Sequence, residues 1–409
     1  PYPDLVKGYQ ISQYDQPLCV GGTLDIEVDG VAKRVQLERI HLEEDTARLL
    51  HRDDGAEPYS LLDVNRSGVP LMELVTTPDL RSGAETAAFL RKLRQTLRYL
   101  DISDADMEKG SFRFDVNISL RPHGQETLGT KVELKNMNSF RSAQRAVEFE
   151  VERQTAILDA GGRIVQETRG YVDATGETSS QRSKEEAHDY RYFPEPDLPP
   201  LRISREEVAA LRAALPELPD AKRARFEADY GLTHDEAAML AETRERADAF
   251  EESVRLAGPA RTGKHGRARA VAHWFMGDVV RLLHAADGEV ELGDSALTPG
   301  HIAELVRLVE EKTITANTAK EVLEAAFASG EMPSAIVEAR GLRQVSDAGA
   351  IDEVARRVIE ANPKAVDDYR GGKDSAIQFL VGQVMREMRG RANPQSATEA
   401  LRAHLDGGR

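Results

Sequence analysis

Two short segments place groups that bind phosphate and metal ions at alternating positions. SFRFDVNISL (residues 111–120) and TKVELKN (residues 130–136) both alternate apolar and polar residues, the period of a β-strand with one buried face. If the strands pair as a hairpin, their polar sides gather Arg113, Asp115, Asn117, Lys131, Glu133 and Lys135. Carboxylates with water suit Mg²⁺, and Mg²⁺ with lysine suits phosphate, so the pattern favours a phosphate-metal face. The alternative is the ordinary solvated face of a sheet.

Further carboxylates precede these segments. HLEED brings His41, Glu43, Glu44 and Asp45 together, and Glu73 interrupts the apolar run PLMELV. A glutamate in an apolar run is costly unless it is paired or bound to a metal, which makes Glu73 a candidate ligand. His41 either supports a ligand from behind or is an ordinary hydrogen-bonded strand histidine. The sequence contains neither a Walker loop nor a GxGxxG motif.

The first 202 residues supply the elements that must position these groups. Alternating apolar residues on both sides of Asp29-Gly30 predict a hairpin, and a slip of the apolar positions near Glu38-Arg39 predicts a bulge in its second strand. A helix is predicted after a Ser82 cap, and another from about Ser139 to Leu158. Together these elements predict an α+β fold built on antiparallel sheet.

From residue 203 onward the sequence has the pattern of helices. Ser204 with Glu207, and Thr233 with Glu236, form capping boxes before alanine-rich segments. Thr298-Pro299 opens a further helical region. We therefore expect three parts: a catalytic domain at residues 1–202, a helical domain at 203–295 and a helical tail at 296–409.

Composition limits the class of protein. A chain of 409 residues with 40% hydrophobic residues can bury two or three cores. The net charge of −16 argues against general coating of nucleic acid, although a local basic face remains compatible with an RNA site. The single cysteine, Cys19, excludes a disulfide framework. Because we find neither a membrane-spanning run nor a signal-like start, we expect a cytoplasmic protein.

Five motifs in order make the family resemblance specific. They are YPDLVKGYQISQYDQP, DVNRSGVPLMELVTTPDLRS, MEKGSFRFDVNISLRP, GTKVELKNMNSFRS and RSKEEAHDYRYFPEPDLPPL. The sequence closely resembles the B subunit of the GatCAB tRNA-dependent amidotransferases over essentially its whole length. The resemblance implies a cradle domain related in fold to glutamine synthetase, then a helical domain and a YqeY-like tail. It also implies a segment before YPDL, with a Glu-x-His pair, that this sequence lacks; we expect that upstream sequence is missing.

The resemblance also implies a reaction. The B subunit of that family uses ATP and Mg²⁺ to phosphorylate the side-chain carboxylate of Glu-tRNA(Gln) or Asp-tRNA(Asn). Ammonia from the amidase, which is the family's A subunit, then displaces the phosphate, and the complex is completed by a small C subunit. By matching motif, the metal ligands are Glu44, Glu73 and Asp115. Other contacts to nucleotide, metal or ammonia are assigned to Glu108, Asn117, Lys131, Glu133 and Lys135.

The same resemblance implies contacts to tRNA. In HDYRYFPEPDLPP, His188 and Arg191 are candidates to meet phosphate or the tRNA end, while the alternative is a proline-stiffened strap between domains. In the tail, Lys373, Arg386, Arg389 and Arg391 lie on or beside one helix and are assigned to the tRNA body. A second basic run, Arg261 to Trp274, is a further candidate. A scaffold that binds tRNA without catalysis is the alternative function.

Overall fold

In the described part of the chain, strands occur before residue 184 and helices dominate after it. The structure is a computed structural model that describes residues 3–53, 55, 58–183, 195–259, 266–285, 290–344, 348–373, 375–388 and 390–406. Its contacts divide the chain into two units, residues 1–216 and 217–409. The predicted α+β class is confirmed, with sheets in the first unit and helices throughout.

The strands of the first unit form three sheets. Their bounds are β1 (Cys19–Val20), β2 (Thr23–Val28), β3 (Val31–Glu44), β4 (Arg48–Arg52), β5 (Tyr59–Asp63), β6 (Pro70–Thr76), β7 (Val116–Ile118), β8 (Val132–Lys135), β9 (Glu167–Val172) and β10 (Glu177–Ser183). The long strand β3 pairs with β2 along its first half and with β1 and β6 along its second half. A second sheet has the order β10-β9-β8-β7, and β4 pairs with β5.

The predicted hairpin and bulge are both confirmed. Asp29 and Gly30 have φ angles of 51° and 75°, the left-handed conformation that a two-residue type I′ hairpin turn requires. The pairing of β3 with β6 shifts register between Leu37 and Arg39. The extra residue reverses the alternation. Beyond the bulge, each side chain of β3 points to the face opposite to the one that an unbroken strand would give it.

The second sheet differs from the prediction in two ways. The strand expected over residues 112–120 is reduced to β7, because Phe112 and Phe114 leave the ladder and pack into the core. Strand β8 also pairs with β9 in parallel, with helix α2 (Phe140–Asp159) as the crossover between them. Strands β9 and β10 were not expected, since their polar sequences ETRGYV and ETSSQRS lack a clear apolar alternation.

Helices α1 (Gly83–Tyr99) and α2 begin at the expected caps, where Ser82 and Ser139 accept hydrogen bonds from backbone N–H groups. The two helices approach so closely that a Cβ on Gly83 would lie 2.4 Å from the Gln144 carbonyl oxygen, which explains the glycine there. Their apolar faces carry Leu90, Leu97, Ala143, Ala146 and Val147, which share one core with Val132 and Leu134 of β8.

The remaining helices follow in order. They are α3 (Arg205–Ala214), α4 (Pro219–Tyr230), α5 (His234–Leu240), α6 (Arg244–Ala257), α7 (Gly266–Trp274), a π-helical turn (Phe275–Val279), α8 (Val280–Ala285), a 3₁₀ turn (Leu292–Asp294), α9 (Pro299–Glu310), α10 (Ala316–Ser329), α11 (Pro333–Ala339), α12 (Ala348–Ala361), α13 (Pro363–Arg370), α14 (Ser375–Glu387) and α15 (Pro394–Asp406). The predicted capping boxes at Ser204 and Thr233 are both present. Within the described ranges, no helix has the length and apolar character needed to cross a bilayer.

The second unit contains two hydrophobic cores. The first contains buried side chains from Phe226 to Val337, and the second contains side chains from Ile351 to Leu405. The first core therefore continues past residue 295, where we expected a boundary, because α9, α10 and α11 pack on the preceding helices. The change from one core to the other lies after residue 337. The three-part division itself stays a prediction.

A buried carboxylate ties α2 to the second sheet. Glu150 is 0% exposed and accepts hydrogen bonds from Arg153 at 2.8 Å, Gln154 at 2.9 Å and Thr178 at 2.5 Å. Arg169 of β9 lies 3.0 Å from the same carboxylate. Burial alone would raise the pKa of Glu150, but the hydrogen bonds from Arg153, Thr178 and Gln154 outweigh it and lower the pKa.

We predict that Glu150→Gln lowers the free energy of unfolding by about 3 kcal/mol, because it leaves the partly buried guanidinium groups of Arg153 and Arg169 without the charge of their shared carboxylate. Since the folded state holds Glu150 deprotonated, this contribution is present above the ordinary glutamate pKa and is lost as the pH falls through the depressed value. Urea unfolding at pH 7 and at acid pH measures both effects. Glu152→Gln, an exposed change on the same helix, is the matched control. Equal stability of the two variants at pH 7 would contradict the prediction.

Candidate metal and phosphate site

The paired strands β3 and β6 bring three candidate ligands together. His41 lies directly opposite Glu73, and Glu43 is two residues along β3 on the same face as His41. One nitrogen or oxygen atom from each of these three side chains lies within 4.8 Å of the others. His41 is 0% exposed and Glu43 8% exposed, so these two members are buried, whereas Glu73 is more accessible to water. We call His41, Glu43 and Glu73 the ligand cluster.

Hydrogen bonds fix the orientation of the two buried members. His41 Nε2 lies 2.9 Å from Glu43 Oε1, and since a carboxylate can only accept, Nε2 carries the proton. Ser12 donates to the same oxygen at 3.0 Å, and Gln10 donates to the other at 3.3 Å. His41 Nδ1 is then a buried lone pair, with no hydrogen-bond partner among the described residues. An orphan acceptor beside two carboxylates fits a site for a cation.

The raised pKa of Glu73 also indicates that this cluster suits a cation. Burial raises the pKa of this half-buried carboxyl, and the negative charge of Glu43 raises it further. The positive charge of Arg39 acts in the opposite direction, while Asp115 adds slightly to the increase. A divalent cation would offset the repulsion among these carboxylates.

Glu44, predicted as a metal ligand, lies elsewhere in this structure. It follows Glu43 in β3 and therefore points to the opposite face. Its carboxylate lies 2.7 Å from Lys7 Nζ and accepts the Ile11 N–H at 3.1 Å. This geometry corrects the expected grouping of Glu44 with Glu73, and Glu43 takes that place. A role for Glu44 in metal binding stays a prediction that rests on the resemblance alone.

Four of the residues predicted for the polar face of β7 and β8 lie close together: Asp115, Asn117, Glu133 and Lys135. Asn117 lies directly opposite Glu133 in the antiparallel pair. Lys135 Nζ lies 2.6 Å from Asp115 and 3.3 Å from Glu133, so one ammonium joins both carboxylates. Thr168 of the unexpected strand β9 donates to Glu133 at 2.8 Å. The face can thus hold a phosphate through Lys135 and a metal through its carboxylates.

The other predicted site residues have different surroundings. Glu108 is exposed in a turn after Asp106, and Lys131 is exposed beside β8. Arg113 was expected on the polar face, but its guanidinium lies 3.3 Å from Asp45, which also pairs with Arg66 at 2.8 Å. His188 and Arg191 lie outside the described residues. Their roles stay predictions.

The basic residues of the tail have mixed surroundings. Helix α14 buries Ile377, Leu380 and Val384. Arg386 is exposed, whereas Lys373 pairs with Asp368 at 2.9 Å and Arg391 donates to the Gly341 carbonyl at 3.1 Å. Arg389 lies outside the described residues.

The second basic run does not present all of its cations to a ligand. Arg267 is 7% exposed and pairs with Glu310. It holds α7 against α9 and is not available to RNA, which corrects the expectation for this residue. Residues 261–265 of the run lie outside the described part.

Two family models match this chain. One, described as the GatB/GatE catalytic domain, matches residues 1–209, and the other, described as the GatB domain, matches residues 260–405. The first contains the ligand cluster and the polar face of β7 and β8. The matches define the class of the protein: a GatB/GatE-type catalytic domain followed by a GatB tail.

Individual relatives narrow that class. The aspartyl/glutamyl-tRNA(Asn/Gln) amidotransferase B subunit of Carboxydothermus hydrogenoformans is 50% identical over 405 residues, which are 99% of this chain and 82% of the relative. The protein of the same name from Herpetosiphon aurantiacus is 51% identical over 408 residues, with 99% and 82% covered. That from Moorella thermoacetica is 48% identical over 404 residues, with 99% and 83% covered. The chain belongs to the family of aspartyl/glutamyl-tRNA(Asn/Gln) amidotransferase B subunits, as its motifs indicated.

Proposed function

We propose that this chain is the activating and transamidating subunit of a tRNA-dependent amidotransferase, a carbon–nitrogen ligase that serves protein synthesis. It converts Glu-tRNA(Gln), Asp-tRNA(Asn) or both to the amidated forms, with ATP and Mg²⁺. Family membership gives the reaction, and the observation that carries the site is the convergence of His41, Glu43 and Glu73 within 4.8 Å. The finer fold that we propose for the first unit is the glutamine-synthetase-like cradle.

The reaction needs activation because a carboxylate is a poor electrophile. Transfer of the γ-phosphoryl group of ATP to the side-chain carboxylate releases ADP and forms an acyl phosphate. Ammonia then attacks the carbonyl carbon, phosphate leaves and the amide remains. The work of the protein is to position the groups and to neutralise their charge.

Particular residues are suited to these tasks. We propose that Glu43, Glu73 and Asp115 hold Mg²⁺, and that the hydrogen bond from His41 Nε2 orients the Glu43 carboxylate. When bound, Mg²⁺ neutralises phosphate charge and supports in-line transfer. Lys135 supplies a further cation beside Asp115. Asn117, Glu133 and Lys135 are proposed to line the path of nucleotide or ammonia, with Glu108, Lys131, His188 and Arg191 as further contacts.

The partners that we propose are the cognate tRNA, an amidase (glutaminase) A subunit, and a small C subunit, all in the cytoplasm. ATP cleavage by the reconstituted complex, measured with and without Glu-tRNA(Gln) or Asp-tRNA(Asn), tests the function. Cleavage that depends on the charged tRNA supports the enzyme. Tight tRNA binding without any cleavage would instead indicate a non-catalytic scaffold.

The two helical cores predict how tRNA binding can be separated from the rest of the complex. Deletion of residues 348–409 removes the second core as a whole and, with it, Lys373, Arg386, Arg389 and Arg391. We expect tRNA affinity to fall about tenfold or more, because these cations are proposed to meet its phosphates. Glutamine hydrolysis by the partner amidase should remain within about twofold.

Deletion from residue 296 provides the comparison. It cuts through the first core, removing Ile302, Leu305, Val322 and Leu323, and should lower the thermal stability of the whole protein. Loss of glutaminase activity on the shorter, 348–409 deletion would show that the tail instead holds the complex together.

A further inference from the structure

We propose that Arg39 binds a phosphate oxygen of the nucleotide, held in place by the ring of Tyr14. This inference rests on the proposed function and names a phosphate contact that the motifs did not indicate. Arg39 lies in β3 directly after the bulge, two residues before His41 and opposite Val75 of β6. It therefore shares a face of the strand with His41 and Glu43.

Tyr14 forms a platform for the guanidinium group. The central carbon of the Arg39 guanidinium lies 4.6 Å from the centre of the Tyr14 ring, a cation–π contact. The ring of Tyr14 also meets that of His41 edge-on, with centres 5.9 Å apart and planes at 88°. Tyr14 thus connects Arg39 to the ligand cluster and restricts how the guanidinium can turn.

The hydrogen-bond donors of the Arg39 guanidinium are not all satisfied within the described part of the chain. Its Nη1 lies 2.6 Å from Glu38, whose side chain is 52% exposed, while the side chain of Arg39 itself is 17% exposed. The Nε atom is buried and has no hydrogen-bond partner in the described part of the chain. Ion pairs with exposed carboxylates are weak, so Glu38 can be exchanged for a stronger anion. A buried, unsatisfied N–H group of a cation favours an acceptor that is absent from the protein itself.

Phosphate is the acceptor that fits these groups. The guanidinium fork donates two parallel hydrogen bonds to a phosphate. A phosphate that approaches Glu43 and Glu73 meets negative charge, so it needs a cation of the protein in addition to the metal. The alternative role for Arg39 is to offset the charge of these carboxylates, with no contact to the nucleotide.

The two roles predict opposite results for metal and nucleotide. The experiment uses the reconstituted complex with Arg39→Gln, and measures binding of Mn²⁺ alone and of the β,γ-imido analogue of ATP with Mg²⁺. If Arg39 holds phosphate, the Kd of the analogue should rise about 10- to 100-fold, the range for a lost hydrogen bond to a charged group. Binding of Mn²⁺ should be unchanged or tighter, since a nearby positive charge has been removed.

Matched variants separate contact from folding. Arg34→Gln changes the exposed arginine of the same strand, paired with Asp25, and should leave both affinities unchanged. Arg39→Lys keeps the charge without the fork and should lose about tenfold in affinity for the analogue. Tyr14→Leu removes the aromatic platform and should lose affinity for the analogue.

Normal analogue binding in a folded Arg39→Gln protein overturns the inference, as does a change confined to Mn²⁺. If Arg39→Gln does not fold, the two other single variants decide. The inference is then overturned when Arg39→Lys and Tyr14→Leu each bind the analogue with normal affinity. Failure of the wild-type complex to bind the analogue at all would instead reject the proposed function.

Discussion

Replacing Glu73 by glutamine should lower tRNA-dependent ATP cleavage by about 10³-fold or more. The change keeps the size of the side chain and removes a negative charge that faces His41 and adjoins Glu43. Several kcal/mol of charge stabilisation depend on a correctly held metal, and each 1.36 kcal/mol is a factor of about ten in rate. Mn²⁺ affinity of the purified complex should fall in parallel. Glu27→Gln, an exposed change of equal charge in the same sheet, is the control. Normal ATP cleavage in Glu73→Gln would place the metal away from this cluster.

Substitution of the neighbouring residues Glu43 and Glu44 tests which face of β3 holds the metal. Their carboxylates point to opposite sides of one strand, and each change to glutamine removes one charge. The geometry of the ligand cluster predicts that Glu43→Gln loses Mn²⁺ affinity. The family resemblance gives that role to Glu44 instead. Loss of Mn²⁺ binding in Glu44→Gln, with normal binding in Glu43→Gln, would favour the resemblance over the geometry.

Asp115→Asn should reduce phosphoryl transfer by about 10²- to 10³-fold, because the side chain keeps its shape but loses the charge that pairs with a cation. Lys135 Nζ, 2.6 Å from Asp115, would remain 3.3 Å from Glu133, so the fold of β7 and β8 should persist. Glutamine hydrolysis requires no phosphate at this face and should continue. Binding of tRNA should also persist, since most of its proposed contacts lie on the helical regions.

Three assays on the reconstituted complex measure this effect: ATP cleavage, glutaminase activity and tRNA binding. Glu126→Gln, an exposed change in the loop between β7 and β8, serves as the control. Near-normal ATP cleavage by Asp115→Asn with tRNA bound would show that the chemistry does not take place on this face.

Local patterns predicted much of this fold because the responsible interactions are themselves local. The Asp29-Gly30 turn and the caps at Ser82 and Ser139 each depend on residues a few positions apart. Strands β9 and β10 were missed because their partners come from distant sequence. Thr168, for example, reaches Glu133 only after α2 has crossed over the sheet.

Prediction of the site residues was limited in the same way, because some of their contacts join distant parts of the sequence. Alternation placed Asp115, Asn117, Glu133 and Lys135 on one face, as the structure has them. It also placed Arg113 on that face, wrongly, because the contact of Arg113 with Asp45 depends on where β7 begins. It did not indicate that Tyr14 lies between Arg39 and His41, since a ring contact between residues so far apart in the chain leaves no periodic pattern.

The bulge after Leu37 determines which face each side chain in the second half of β3 points to. Every side chain from Arg39 to Glu44 has its face determined by one extra residue, so a single deletion in this stretch would exchange the inward and outward sets together. His41 and Glu43 would then face away from Glu73, although the composition of the strand would barely change. A substitution in β3 alters the contacts of one side chain, whereas a one-residue change in its length reverses the faces of all the site residues on this strand. Insertions and deletions, more than point changes, should therefore be the variations that this strand tolerates least.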